Sequence, residues 1–199
     1  MVSIMDFRSG VVIIGCFSLI YTGCSPPTQT LEIYNNGRPK LVHEYKVISS
    51  SFGTDSITVK LIKYYRNGMK HYQQEIMNNQ PNGKYYSWHQ NGVMYAKGKY
   101  LNGELSDKWT WWGKDGLPDS IRTFLKEMLH GEYIDYFGNG KPHKLMEYVE
   151  NKKYGYYKEL DEKGKKVSVG EYRNDIPHGH WIWWQNRIKT RELTYENGL

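Results

Sequence analysis

The chain has 199 residues, of which 39% are hydrophobic and 15% aromatic, with 18 Tyr, 7 Trp and 20 Gly. Apolar area that comes from rings rather than from Leu or Ile favours strands over helices. The 27 Lys and Arg against 21 Asp and Glu leave a net charge of +6, which suits an anionic membrane surface, an acidic partner or nucleic acid and does not choose among them.

The N-terminus narrows that choice. After a short leader with one basic residue, Arg8, residues 10–23 form a stretch of 14 residues without charge that ends at Cys24. A membrane-spanning helix needs about 20 apolar residues, so this stretch is too short to span and fits the hydrophobic region of a secretory signal. Thr22-Gly23-Cys24 resembles the end of a bacterial lipobox, in which small residues precede a Cys that is acylated and becomes the new N-terminus; Tyr21 departs from the usual aliphatic residue. Ile13-Ile14-Gly15-Cys16 fits the local pattern better, but cleavage there leaves a hydrophobic region of only a few residues. The expectation is therefore a signal peptide over residues 1–23 and lipidation at Cys24.

Cys16 and Cys24 are the only cysteines, so cleavage discards one, lipidates the other and leaves no disulfide. Residues 24–30, ending Ser25-Pro-Pro-Thr-Gln-Thr30, read as the lipidated Cys and a polar tether, with the folded domain over 31–199. Export weighs against nucleic acid as a partner.

An internal period governs the rest of the chain. Gly83, Gly131, Gly155 and Gly179 are separated by multiples of 24, with Asp107 at the missing step. A second series, Gly68, Gly92, Gly116, Gly140 and Gly164, keeps the same spacing nine residues after each repeat start. Two residues after each start stand Tyr85, Trp109, Tyr133, Tyr157 and Trp181; five after it stand Trp88, Trp112, Tyr136, Leu160 and Trp184. Tyr100, Phe124, Tyr148 and Tyr172 follow at seventeen, and Tyr195 comes one place early, because Gln185-Asn186-Arg187 has lost one residue at the first turn of its unit. The step from Gly37 to Gly68 is 31 residues, one period plus seven, which places an insertion loop near residues 49–55. About seven units then cover residues 28 to 199, the last one incomplete.

Asn-Gly or Asp-Gly between aromatic and β-branched runs is a strong hairpin signal, since both central residues of a type I′ turn need positive φ. Such pairs stand at Asn67-Gly68, Asn82-Gly83, Asn91-Gly92, Asn102-Gly103, Asp115-Gly116 and Asn139-Gly140. Two turns per 24 residues leave two strands of about six to eight residues. Residues 121–129 have helix-forming composition, but their place in the repeat predicts strand. The predicted fold is all-β: an elongated antiparallel β-hairpin repeat array.

Gly83-Lys-Tyr-Tyr-Ser-Trp-His-Gln-Asn-Gly92, with its registered copies, resembles the MORN repeats, and more closely their bacterial variant. The resemblance covers nearly all of the chain after the leader and implies an elongated antiparallel β array. Members of the variant family are often labelled YwqK-type antitoxins of toxin-antitoxin systems, whereas MORN arrays elsewhere are linked with membrane association and scaffolding. The second association suits a lipid-anchored chain better.

The tryptophans sit in the first strands of three repeats, and strand alternation puts Trp109 and Trp111 on one face with Trp112 on the other, as it does Trp181 and Trp183 against Trp184. Trp112 and Trp184 match the pattern and read as packing residues. Trp111 and Trp183 occupy a slot filled elsewhere by Ser87, Asp135 and Glu159, which predicts exposed rings that line a groove. They are the ligand-contact candidates, for a sugar or a peptide. His130 and His178 recur just before a repeat glycine, and no Cys or carboxylate stands at ligand spacing near His178 and His180, so no metal is expected. Phosphate-loop, nucleophile-elbow and His-Glu-x-x-His motifs are absent, so no catalytic residue or cofactor is assigned. Lys152, Lys153 and the lysines of 163–166 read as a solvated rim. The function expected is a non-catalytic, lipid-anchored envelope protein that binds or scaffolds a protein or glycan. The alternative is an antitoxin-like neutraliser.

Overall fold

A computed structural model of the chain describes residues 26–50 and 53–196. Cys16, Cys24 and the leader lie outside the described residues. Fourteen strands, β1 (Thr28–Ile33) to β14 (Ile188–Tyr195), form one sheet in which every strand is hydrogen-bonded to its neighbours in sequence. All pairings are antiparallel, and two strands make one 24-residue unit, so the described chain holds seven units. No helix occurs among the described residues, and residues 121–129 form β8 (Pro118–Leu125), a two-residue turn and the start of β9 (Met128–Tyr136). Thr28 to Thr30, read as the end of the tether, already belong to β1 and pair with β2 (Pro39–Ser50). The surplus near residues 49–55 lengthens a hairpin: β2 and β3 (Gly53–Tyr64) have 12 residues each and pair out to Ser50 and Gly53.

The two turns of each unit differ in chemistry. At the glycine series the chain makes a three-residue loop, in which Gly92 N–H donates to the His89 carbonyl and His89 N–H to that of Val93. Only the glycine is left-handed there, with φ of +85° at Gly92 and +83° at Gly116. This is a type I turn closed by a glycine bulge, so the type I′ expectation for Asn67-Gly68, Asn91-Gly92, Asp115-Gly116 and Asn139-Gly140 is corrected. The asparagines are there for another reason. Asn67, Asn91 and Asn139 each donate from Nδ2 to a carbonyl of the next such turn, at Gln90, Lys114 and Glu162, while Oδ1 accepts the N–H two residues on. They staple neighbouring units along one edge.

True two-residue type I′ turns close the opposite edge, at Asn78-Asn79, Asn102-Gly103, Lys126-Glu127, Glu150-Asn151 and Asn174-Asp175, where both central residues have positive φ. Asn82-Gly83 is not a turn: it lies inside β5 (Gln80–Trp88). In the last unit the one-residue deletion converts the three-residue loop into a two-residue turn at Asn186-Arg187, with φ of +53° and +71°.

All strands lie in one layer, so a side chain packs only against neighbours on its own face. Buried hydrophobic residues are correspondingly few: Ile62, Ala96, Trp109, Met146, Tyr157 and Trp181. No helix among the described residues is long and apolar enough to cross a membrane.

Candidate functional site

One face of the sheet carries Tyr85, Trp109, Trp111, Tyr133, Tyr157, Trp181 and Trp183 in two cross-strand rows. The first row runs Gln74, Tyr85, Gly98, then Trp109, Arg122, Tyr133, Met146, Tyr157, Gly170 and, after a bulge, Trp181 opposite Leu193. A second row beside it is paired without a break: Ser87, Ala96, Trp111, Ser120, Asp135, Lys144, Glu159, Ser168, Trp183 and Arg191.

The face holds the same constellation twice, on β7 (Glu104–Trp112) and on β13 (Ile176–Gln185), three units apart. Trp109 is 3% exposed and Trp181 4%. Each ring lies against the glycine of the preceding strand: a Cβ on Gly98 would stand 2.1 Å from the Trp109 indole, and one on Gly170 2.1 Å from that of Trp181. Each indole N–H donates to the carbonyl after or beside that glycine, Trp109 to Lys99 at 3.2 Å and Trp181 to Glu171 at 3.0 Å. Tyr100 and Tyr172 meet the two rings edge-on at 5.1 and 5.0 Å between centroids. Tyr85 and Tyr157 approach from the other side at 5.4 Å. Trp111 and Trp183 stack beside them at 5.7 and 5.6 Å.

An arginine lies over each outer tryptophan, Arg122 at 5.3 Å from Trp111 and Arg191 at 5.1 Å from Trp183. Arg122 is also 5.3 Å from the Tyr133 ring, and its buried Nε has no hydrogen-bond partner. Between the two stations Glu159 collects four groups: Tyr157 Oη and Ser168 Oγ donate to Oε2 at 3.2 and 3.1 Å, and His143 Nε2 and Lys144 Nζ stand 3.5 and 3.9 Å from Oε1. Burial, and then the Glu159 charge, push the Tyr157 phenol well above its ordinary range. Burial likewise raises Tyr133, with Asp135 adding to it.

The expected parity holds: Trp109 and Trp111 share a face, and the side chain of Trp112 belongs to the other. The expected contrast in exposure does not hold. Trp111, Trp183, Trp112 and Trp184 are all half-buried. The slot that elsewhere holds Ser87, Asp135 and Glu159 is polar without being bare, since Ser87 itself is only 2% exposed. Trp183 packs against the buried cluster of Met146, Tyr157 and Trp181, and Trp184, on the opposite face, is covered by Lys166 at 5.5 Å. The sequence reading missed Gly98 and Gly170 as ring seats. Their signal was present: in the second strand the place fifteen after the repeat start is Gly only where the next unit brings Trp109 or Trp181.

His180 pairs with Glu192 at 2.6 Å, and His178 stands opposite Glu171. No three His, Cys, Asp or Glu residues converge as metal ligands among the described residues. Two surface depressions lie away from Trp111 and Trp183. One sits at the turns around Asp161, Lys163 and Arg187, the other beside Lys97, Lys108 and Trp112.

Fold and site together define the class: an open, single-layer β-meander repeat protein with aromatic residues on both faces and a duplicated tryptophan pair on one of them. Comparison of the chain with known protein families and with curated proteins finds no match in either.

Proposed function

We infer that the chain is a non-catalytic binding module held at the bacterial envelope by a lipid on Cys24, and that it presents its aromatic face to a partner. The reading rests on the duplicated tryptophan station: the slot that Trp111 and Trp183 fill is taken by Ser87 in another unit, so the repeat packing does not require a tryptophan there. Rings and arginines concentrated in shallow, solvent-reachable positions are the residue types that carry binding energy at interfaces. A nearest-neighbour array offers surfaces rather than the enclosed pockets that catalysis favours. The likeness to the bacterial MORN variant supports the same reading through its scaffolding members, and the antitoxin label of that family is the rival. On this reading residues 1–23 direct export and are cleaved, and the lipidated Cys24 is the anchor, joined to the repeat sheet by a short polar tether.

The test is fractionation of cells that express the full chain, as wild type, Cys24→Ala and Cys16→Ala. Wild type and Cys16→Ala partition with membranes and incorporate labelled palmitate, and Cys24→Ala does neither, because it has lost the site for the acyl chains that hold the chain at the membrane. A full chain that stays in the cytoplasm with Met1 retained and no acyl group overturns the envelope reading in favour of the antitoxin-like one.

A further inference from the structure

The row between the two stations has a composition that constrains what can lie on it. Trp111 and Trp183 are six strand steps apart in the sheet order, which at about 4.8 Å per step separates them by roughly 29 Å. Asp135, Lys144 and Glu159 follow one another between them on three consecutive strands, and Arg122 stands beside the first station. Opposite charges alternate along the row, so a polyanion meets Asp135 and Glu159, and a polycation meets Arg122 and Lys144. Neither can cross without burying like charge against like charge, which is destabilising. A neutral chain rich in hydroxyl groups meets neither penalty and can use every group on the row, since hydroxyls donate to the carboxylates and accept from Lys144 and His143. At the two ends each half-buried indole carries an arginine over its ring, so the exposed part of the indole and the guanidinium beside it together meet the C–H groups and the hydroxyls of a pyranose ring. The strands form a single open layer, so the ligand lies along the sheet instead of entering it.

We propose that this row binds a neutral polysaccharide strand laid across β7 to β13, held at both ends by Trp111 and Trp183 and hydrogen-bonded between them by Asp135, Lys144 and Glu159. The proposal rests on the binding-module reading and names its ligand class. Two equivalent stations on a rigid sheet make the second contact intramolecular, so affinity depends on whether one chain reaches both.

The experiment titrates the full chain, in mild detergent, with neutral hexaoses of glucose, mannose and N-acetylglucosamine, the matching trioses, and polygalacturonate, and follows tryptophan fluorescence and heat. At least one hexaose binds, and its triose binds at least tenfold more weakly because it reaches one station only. Trp111→Ala and Trp183→Ala each bring the hexaose down to the affinity of the triose. Asp135→Asn with Lys144→Gln, two half-exposed positions that leave the rings in place, weakens the hexaose at least fivefold even if a tryptophan variant misfolds. The proposal is overturned if no hexaose binds, if triose and hexaose bind alike, if the double polar variant binds as wild type does, or if only polygalacturonate binds. Loss of a cross-linked envelope protein in Trp111→Ala, with no hexaose bound, would remove the polysaccharide and leave the binding module standing. Hexaose binding by a protein that does not partition with membranes would do the reverse to the anchor.

Discussion

The indole of Trp181 occupies the space that a side chain on Gly170 would need, and the same is true of Trp109 and Gly98. Glycine at those two positions is a packing requirement, since neither has the positive φ that would call for glycine on backbone grounds. Gly98→Ala or Gly170→Ala therefore forces the ring off its seat and breaks its N–H bond to the main chain. Each should cost about 1–3 kcal/mol, the usual range for overpacking, read as a lower midpoint in urea at unchanged slope. A midpoint equal to that of wild type would mean that the ring is not seated there.

The two tryptophans of each station should separate in stability. Trp109 and Trp181 are buried, so truncation to Ala should cost about 3–5 kcal/mol. Trp111 and Trp183 are half-buried and keep a polar row beneath them, so the same truncation should cost less than half as much. Thermal melts of the four single variants decide it. Equal losses at Trp109 and Trp111 would place the outer ring in the core and remove it as a contact residue.

The tight turn Lys126-Glu127 has both residues in the left-handed region, at φ of +50° and +64°, although neither is Gly or Asn. Left-handed backbone costs an ordinary residue about 1–2 kcal/mol. Replacing the pair by Asn-Gly, as stands at Asn102-Gly103, should raise stability by about 1 kcal/mol or more and leave strand content in the far-ultraviolet spectrum unchanged.

Alkali should unfold the array through its phenols. Burial raises Tyr72, Tyr85, Tyr100, Tyr133, Tyr148, Tyr157 and Tyr172. Above the ordinary tyrosine value of about 10, the unfolded chain releases protons that the folded chain keeps. The stability these groups contribute is thus complete below pH 10 and declines as pH rises beyond it. Denaturant midpoints between pH 8 and 11 should fall in the upper part of that window, and Tyr157→Phe should fall less steeply than wild type.

Much of this architecture was legible in the sequence because a single period fixes strand number, direction and parity at once. Gly83, Gly131, Gly155 and Gly179 located the units, and the early Tyr195 located the deletion that the turn at Asn186-Arg187 absorbs. Turn chemistry was less legible. The pair Asn82-Gly83 carries a strong local signal, but the adjacent turn at Asn78-Asn79 and the pairing of Met77 with Gln80 place it inside a strand. Lys126-Glu127 carries no local signal at all. It turns because Leu125 and Met128 are paired by the register of β8 and β9, so tertiary pairing imposes what propensity would refuse. The exposure of Trp111 and Trp183 was misjudged for a related reason. A slot that accepts Ser, Asp and Glu reads as open to water, yet a serine with large neighbours in its row is buried as deeply as any ring, as Ser87, Ser120 and Ser168 are.

The separation of the two tryptophan stations is a count of hairpins, and it can therefore change only in whole steps. Each unit contacts the next through one strand pair, so removing or inserting 24 residues between β8 and β12 would move the stations by about 10 Å without disturbing the seat of either ring. The sheet is a ruler graduated in hairpins. Under the proposed binding, gene-level gain or loss of a repeat would retune the length of strand that spans the two stations, and a variant lacking residues 131–154 would carry the same two tryptophan pairs four strand steps apart instead of six.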